Sequence, residues 1–184
     1  GLRALVGGEP LPPAMASALL ERCDQVWNMY GPTETTVWSS CWRVQANAPV
    51  SLGRAIDNTR IRVLDEASQP VSPGAWGEIW ISGTGVADGY WRKPELTAER
   101  FQTLDHAHGG QGQLHYRSGD RGRWRHDGSL EHGGRLDDQV KLRGFRIELG
   151  EIEACIAGQA GVQRCVAMVR EDSPGDQRLV AYVV

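Results

Sequence analysis

Long apolar runs are missing from this chain, and none of its 184 residues lies in a stretch near the roughly 20 a membrane helix needs. No leader of signal-peptide type opens it. An excess of basic charge is missing too. The formal net charge of -3 gives no general affinity for nucleic acid or an anionic membrane. Cysteine is sparse: Cys23, Cys41, Cys155 and Cys165 form no pair at metal or redox spacing, so reduced cytosolic thiols are expected. The five histidines, His106, His108, His115, His126 and His132, lack helical metal spacing. Glycine is abundant, yet the glycines of "ISGTGVADGYW" are too few and wrongly spaced for either common phosphate loop. The seven tryptophans are dispersed and read as packing groups, and there is no internal repeat.

What remains is a globular composition, 40% apolar and 23% charged, able to bury a core. "LRALVGG" and "VWNMYG" read as short strands, with a helix over "PPAMASALLERC" between them. "TRIRVLDE" and "EIWISG" alternate as strands around the turn residues of "SQPVSPGAWG". "KPELTAERF" predicts one or two helical turns, and His106 to Gly112 a surface loop. Short strands follow in "GRWR", "SLEH" and "QVKLRGFRIEL", where Val140 and Leu142 face one way and Gln139, Lys141 and Arg143 the other. "GEIEACIA" places Ile152, Cys155 and Ile156 on one helical face, ahead of strands in "VQRCVAMV" and "QRLVAYVV". A boundary is expected near "GGRLDDQ", where two glycines suit a hinge or a surface hairpin equally. The start lacks Met and both ends fall inside apparent strands, so a piece of a longer chain is expected.

Three polar stretches carry candidate chemistry. "NMYGPTETT", Asn28 to Thr36, suits a loop that holds a phosphorylated ligand. Tyr30 offers a flat face and Asn28 a two-way amide. Thr33, Thr35 and Thr36 offer hydroxyls, and Glu34 the hard oxygen Mg²⁺ prefers. The plainer reading is a helix start capped by Thr after a Pro-fixed turn. In "YRSGD", Asp120 follows a tight Ser-Gly turn and can accept bonds from a vicinal diol. "GRLDDQVKLRGFRIELGEIE" mixes the cations Arg135, Lys141, Arg143 and Arg146 with five carboxylates, which also describes a solvated ion-paired surface.

The order of these segments resembles one family. "GGEPL", "NMYGPTETTVW", "SLGRAIDNTRIRVLD", "GEIWISGTGVADGYWRKPELTAERF", "YRSGD" and "GRLDDQVKLRGFRIELGEIE" follow one another as in the adenylation domain of non-ribosomal peptide synthetases. These belong with acyl-CoA ligases and luciferases in the adenylate-forming superfamily. The likeness runs from Leu2 to about Glu153. The resemblance implies an α/β and α+β mix. Residues 1–134 would be the C-terminal portion of the large AMP-binding subdomain, β-rich with a distorted barrel. Residues 135–184 would begin the small, mobile, α+β C-terminal subdomain.

It also implies roles. Asn28 would read the adenine edge, Tyr30 stack on the ring, Gly31 and Thr33 line the nucleotide site, and Thr33 contact the α-phosphate or substrate carboxylate. Glu34 would ligate Mg²⁺, Asp120 the ribose, Arg135 the nucleotide, and Lys141 the ribose and bridging oxygen; Thr33, Arg135 and Lys141 would be catalytic. Asp137 would be the hinge, and Leu5, Gly7, Gly8, Met29, Val37 and Trp38 the substrate-pocket wall. The implied enzyme is a cytoplasmic ligase of secondary-metabolite biosynthesis. It would use ATP and Mg²⁺ to form an aminoacyl adenylate and pass it to the phosphopantetheine thiol of a peptidyl carrier protein, beside a condensation domain. No nucleic acid or membrane is expected as partner.

The sequence departs from the pattern in places. The family's Gly-rich phosphate loop, its amine-binding aspartate and its terminal lysine are absent, so the isolated chain is expected to be inactive. Ser118 replaces a usual Thr, Asp88 a frequent Arg, and Arg121 a common apolar residue. An acyl-CoA or aryl-acid ligase of the superfamily, or a binding module that kept the fold without the chemistry, are the alternatives.

Overall fold

The computed structural model describes residues 1–104, 112–173 and 175–184. The expected loop with His106 and His108 lies largely outside them. The chain divides into two compact units, Gly1–Leu136 and Asp137–Val184. The sequence reading puts the division two residues earlier.

In the first unit the elements run β1 (Arg3–Gly7), α1 (Pro13–Leu20), β2 (Gln25–Tyr30), a three-ten turn (Thr33–Thr35), β3 (Ser40–Arg43) and β4 (Arg54–Ala55). They continue as β5 (Thr59–Leu64), β6 (Gly77–Gly83), α2 (Pro94–Arg100), β7 (Phe101–Thr103), β8 (Leu114–Trp124) and β9 (Leu130–Arg135). The first four strands form one sheet in sequence order, with β1 and β2 parallel and the other pairs antiparallel. Pro12 holds extended backbone and Pro13 opens α1, where a missing N–H costs nothing. The helix lays Ala16, Leu19 and Leu20 over Val26 and Val44.

The second sheet has the order β5-β6-β8-β7, with β9 paired to residues 120–124 of β8, past the 114–116 stretch that pairs with β7. Its centre is β6, buried on both faces through Ile79, Trp80 and Ile81. Removing each such isoleucine from water contributes about 1.5–3 kcal/mol. Tyr30 closes this core together with Val63 and Leu130, so the end of β2 is carried into the second sheet. A bridge between Gly53 and Leu130 ties the sheets. No described helix is long and apolar enough to cross a membrane.

Two sequence readings change. "YRSGD" is no tight turn: it lies within β8, an 11-residue strand that continues through Gly119 at φ 74 with a bulge between Asp120 and Gly122. The feature is a mid-strand kink with extra twist, which glycine permits. In the second unit, the hairpin of β10 (Gln139–Leu142) and β11 (Phe145–Glu148) turns on Arg143 and Gly144, both at positive φ as a two-residue hairpin requires. There Gln139 is buried rather than outward. Its amide donates to Glu148 and accepts from Arg146 Nε at 2.6 Å. A polar pair of bonds outweighs the alternation. The unit ends with α3 (Leu149–Ala157) and the antiparallel pair β12 (Cys165–Glu171) and β13 (Gln177–Val183).

Candidate functional site

The turn after β2 is built so that only its own sequence fits. A Cβ on Gly31 would lie within 2.8 Å of the backbone of Val37, Trp38 and Ser39, so the chain folds back there only because the residue is glycine. Ser39 N–H donates to Tyr30 O at 2.7 Å and closes the loop. Inside it Thr33–Thr35 makes a single three-ten turn whose N-cap is Pro32, with no side-chain cap bond. The capped-helix alternative is therefore not what forms. Thr36 and Val37 both sit at positive φ, 59° and 70°. For β-branched residues this stores about 1–3 kcal/mol each, a kind of strain that clusters at functional sites.

Alternation along β2 sends Val26, Asn28 and Tyr30 to one face and Met29 to the other. Asn28 is buried, and its Nδ2 donates to Ser51 O at 2.7 Å, so one amide donor is engaged inside the fold. Tyr30 is buried too, with 6% exposure, and its hydroxyl donates to Asp120 Oδ2 at 2.6 Å across 90 positions of sequence.

Asp120 is the centre of a cluster. Arg135, its register partner on β9, donates through Nη1 to Asp120 Oδ1 at 2.9 Å and through Nη2 to Ser118 O at 3.1 Å. His132 Nε2 lies 3.4 Å from Oδ1. Burial alone pushes the Asp120 carboxyl up. Hydrogen bonds from His132 and Tyr30 and the charge of Arg135 outweigh it and hold the group below its ordinary value. The same surroundings, burial first and then Asp120, push the Tyr30 phenol far up, so it remains a donor. The kink that presents Asp120 has its own support. Ser118 Oγ donates to Ile79 O and accepts from Asp120 N–H, so the hydroxyl is used on both sides. Buried Glu78 accepts from Gly119 N–H at 3.0 Å and from Arg117 Nε at 2.7 Å.

Glu34 is buried, with Thr35, while Thr33 and Thr36 are exposed. One Glu34 oxygen accepts from the Tyr90 hydroxyl at 2.6 Å, and burial followed by this bond raises the Tyr90 phenol well above its ordinary value. Sequence reasoning missed Tyr90 and His132. Nothing local marks either, because each acts on a carboxylate supplied by a different strand or loop. Arg121, unexplained from sequence, stacks on Trp76 at 4.8 Å, with Arg123 at 4.5 Å from the same ring. Nothing in the structure explains Asp88.

The expected pocket wall is partly assembled. Gly7 pairs with Met29 in register, and a Cβ on Gly7 would lie 2.6 Å from the Trp38 ring. Gly7, Met29 and Trp38 are thus adjacent. Leu5 lies on the same face of β1 as Gly7 and is exposed, as are Gly8 and Val37. Lys141 lies on β10 in the second unit, and Asp137 begins that unit. Among the described residues no three His, Cys, Asp or Glu side chains converge on a metal site. A single buried carboxylate, Glu34, beside the exposed Thr33, is the donor set of a Mg²⁺ that arrives with phosphate oxygens rather than one caged by protein, and the residues fit that use.

The chain matches the AMP-binding enzyme family over residues 1–91. It is 50% identical to the dimodular nonribosomal peptide synthase of Bacillus subtilis (strain 168), an alignment spanning 100% of this chain and 8% of the synthase. Among solved structures it is similar to holo-AB3403, a four-domain nonribosomal peptide synthetase bound to AMP and glycine. That match has 49% identity and a TM-score of 0.71, and covers 100% of this chain and 14% of that one. It is similar also to holo-PA1221, a nonribosomal peptide synthetase protein containing adenylation and carrier domains. There the identity is 34% and the TM-score 0.89, over 98% of this chain and 32% of that one. The chain therefore spans a small fraction of the relatives it matches.

Proposed function

The chain belongs to the AMP-binding enzyme family, on the adenylation-domain branch of the nonribosomal peptide synthetases, and we propose that it works as one part of such a domain. The reaction we infer is ATP-dependent activation of an amino acid followed by transfer to a carrier-protein thiol, in the cytoplasm, within an assembly line that includes a condensation domain. The observation that carries this is the cluster of Tyr30, Asp120, Arg135 and His132. It joins Tyr30 of β2, 90 positions away in sequence, and two side chains of β9 to one buried carboxylate on β8.

In the first step a substrate carboxylate oxygen bonds to the α-phosphorus of ATP, and the bond from that phosphorus to the bridging oxygen breaks, releasing pyrophosphate. Two anions must meet. Arg135 supplies cationic charge, and Thr33, exposed at the turn, supplies a hydroxyl to the α-phosphate or carboxylate. Asp120 accepts from the ribose diol, exchanging part of its present bonds to Arg135 and His132 for sugar hydroxyls. Mg²⁺, when bound with the nucleotide at Glu34, offsets phosphate charge. In the second step the phosphopantetheine sulfur bonds to the acyl carbon, the carbon–oxygen bond to AMP breaks, and the thiol proton is lost. Gly1–Leu136 act as the C-terminal portion of the large subdomain and Asp137–Val184 as the beginning of the small mobile one, with Lys141 and the hinge Asp137 on the latter.

The substrate we infer is a neutral amino acid with a small side chain, glycine foremost. Trp38 fills the space where a side chain on Gly7 would stand, no charge lines Leu5, Gly7, Met29, Val37 and Trp38, and the similar holo-AB3403 carries glycine. Pyrophosphate exchange by the full-length protein tests all of this. Exchange with glycine above other amino acids is expected. Exchange only with aryl or fatty acids would favour the acyl-ligase alternative, and none with any acid a binding module.

A further inference from the structure

The segment that leaves β6, residues 83–90, has the wrong glycine spacing for a phosphate loop, but its contacts are directed at one place. Thr36 Oγ1 donates to Gly85 O at 2.7 Å, Ala87 N–H donates to Glu34 O at 2.9 Å, and Tyr90 Oη donates to Glu34 Oε1 at 2.6 Å. A Cβ on Gly85 would stand 3.0 Å from Thr35 O, so the two segments are as close as glycine allows. The segment grips the three-ten turn at a hydroxyl, at the backbone and at the carboxylate.

Tyr90 is itself fixed by groups other than Glu34. Its backbone N–H donates to Thr97 Oγ1 of α2 at 2.9 Å. Its ring meets Phe101 of β7 edge-on, with centroids 5.3 Å apart and planes at 76°, and Phe101 rests on fully buried Tyr116 of β8 at 5.1 Å. The position of the hydroxyl is therefore set by packing. A glutamate side chain otherwise samples several rotamers, and ordering it costs on the order of 1 kcal/mol or more when a ligand binds. A partner that orders it beforehand removes that cost from binding, as outer partners of metal ligands do.

We propose that Tyr90 is a positioning residue for Glu34, fixing that carboxylate so that the Mg²⁺ accompanying ATP meets an already oriented oxygen ligand. This rests on the assignment of Glu34 as the metal-binding carboxylate. Tyr90→Phe deletes the hydroxyl while keeping the ring on Phe101, so the fold should be retained, with a melting temperature lowered only as far as the loss of one hydrogen bond requires.

The test uses the full-length protein without amino acid, measuring affinity for Mg·ATP and for ATP in excess chelator by calorimetry. Mn²⁺ uptake with ATP is followed by electron paramagnetic resonance. Tyr90→Phe is expected to weaken Mg·ATP and Mn·ATP binding by roughly tenfold. Metal-free ATP binding should stay as in the unmodified protein. Glu34→Gln should weaken the same metal-dependent binding, and adding Tyr90→Phe to it should cost nothing more, because the two act as one unit. Unaltered metal dependence in Tyr90→Phe, beside a loss in Glu34→Gln, overturns the role of Tyr90 and leaves the Glu34 assignment standing. Unaltered metal dependence in Glu34→Gln overturns both. Equal weakening of metal-bound and metal-free ATP by Tyr90→Phe would make Tyr90 merely structural.

Discussion

Asp120 holds the two sheets' contributions together through single atoms, so its removal is read most sharply at the level of the side chain. Asp120→Ala deletes the acceptor for Tyr30 and Arg135 and the proposed ribose acceptor at once. In the full-length protein we expect the ATP requirement to rise by about 1.5–3 kcal/mol in binding terms, since the lost acceptor is charged. Michaelis constants for ATP and for amino acid, measured separately, check this. A change confined to the amino acid would reassign the residue.

Acid sensitivity belongs to this scale as well. Burial, with Arg62 adding to it and a bond to Gln113 O opposing, lowers the fully buried His115 below its ordinary value of 6.5. The unfolded chain then takes up that proton first as pH falls, so stability is lost downward from about pH 6.5. Asp120 is depressed below 3.8, and its contribution, present above that pH, goes only when acid protonates the folded carboxyl. Melting temperatures between pH 7.5 and 5 should therefore fall, and fall less in His115→Gln. A flat profile in the unmodified chain would rule the effect out.

Elements show why some of the site could be read in advance and some could not. The strands at β2 and β6 and the Pro-started α1 follow from local pattern and lie where it puts them. β6 does not alternate, however: it pairs with a strand on each side and both its faces are covered. The kink in β8 does not, because Ser118 and Gly119 have the chemistry of a turn. What keeps them in a strand is Glu78, some 40 positions away. Gln139 likewise breaks its alternation for partners across the hairpin on β11. Polar bonds to other strands defeat periodicity. Asn28, Glu34, Asp120 and Arg135 could be named as candidates because their residue types suit a nucleotide and a metal. Tyr90 and His132 could not, since their role exists only through a carboxylate elsewhere.

The same scale makes the pocket testable. Parallel pairing sets Gly7 beside Met29, and Trp38 fills the gap above. Trp38→Ala should open that space, so that the full-length protein gains exchange with larger neutral amino acids relative to glycine. An unchanged ranking would remove Trp38 from the pocket.

At the scale of the whole molecule the decisive fact is that the chain is two units meeting at Leu136 and Asp137. Leu136 N–H donates to Gly119 O at 2.8 Å, which anchors the last residue of the first unit beside the kink that presents Asp120. Asp137 Oδ1 accepts from Gln139 N–H at 3.3 Å, within the second. One peptide link thus separates residues held by different bodies. A rotation between two half-reactions needs freedom at such a point, and proline withdraws it by locking φ near -65° and removing the N–H. We therefore expect Asp137→Pro in the full-length protein to leave pyrophosphate exchange largely intact. Loading of the carrier's phosphopantetheine thiol should fall by about tenfold or more, as blocked conformational steps do. The two half-reactions separate the readings: exchange reports adenylate formation alone, whereas loading, on the proposed reading, also requires the second unit to move. Loss of exchange and loading in equal measure would mean that Asp137 serves the adenylation geometry itself and that the turning point lies elsewhere in the chain.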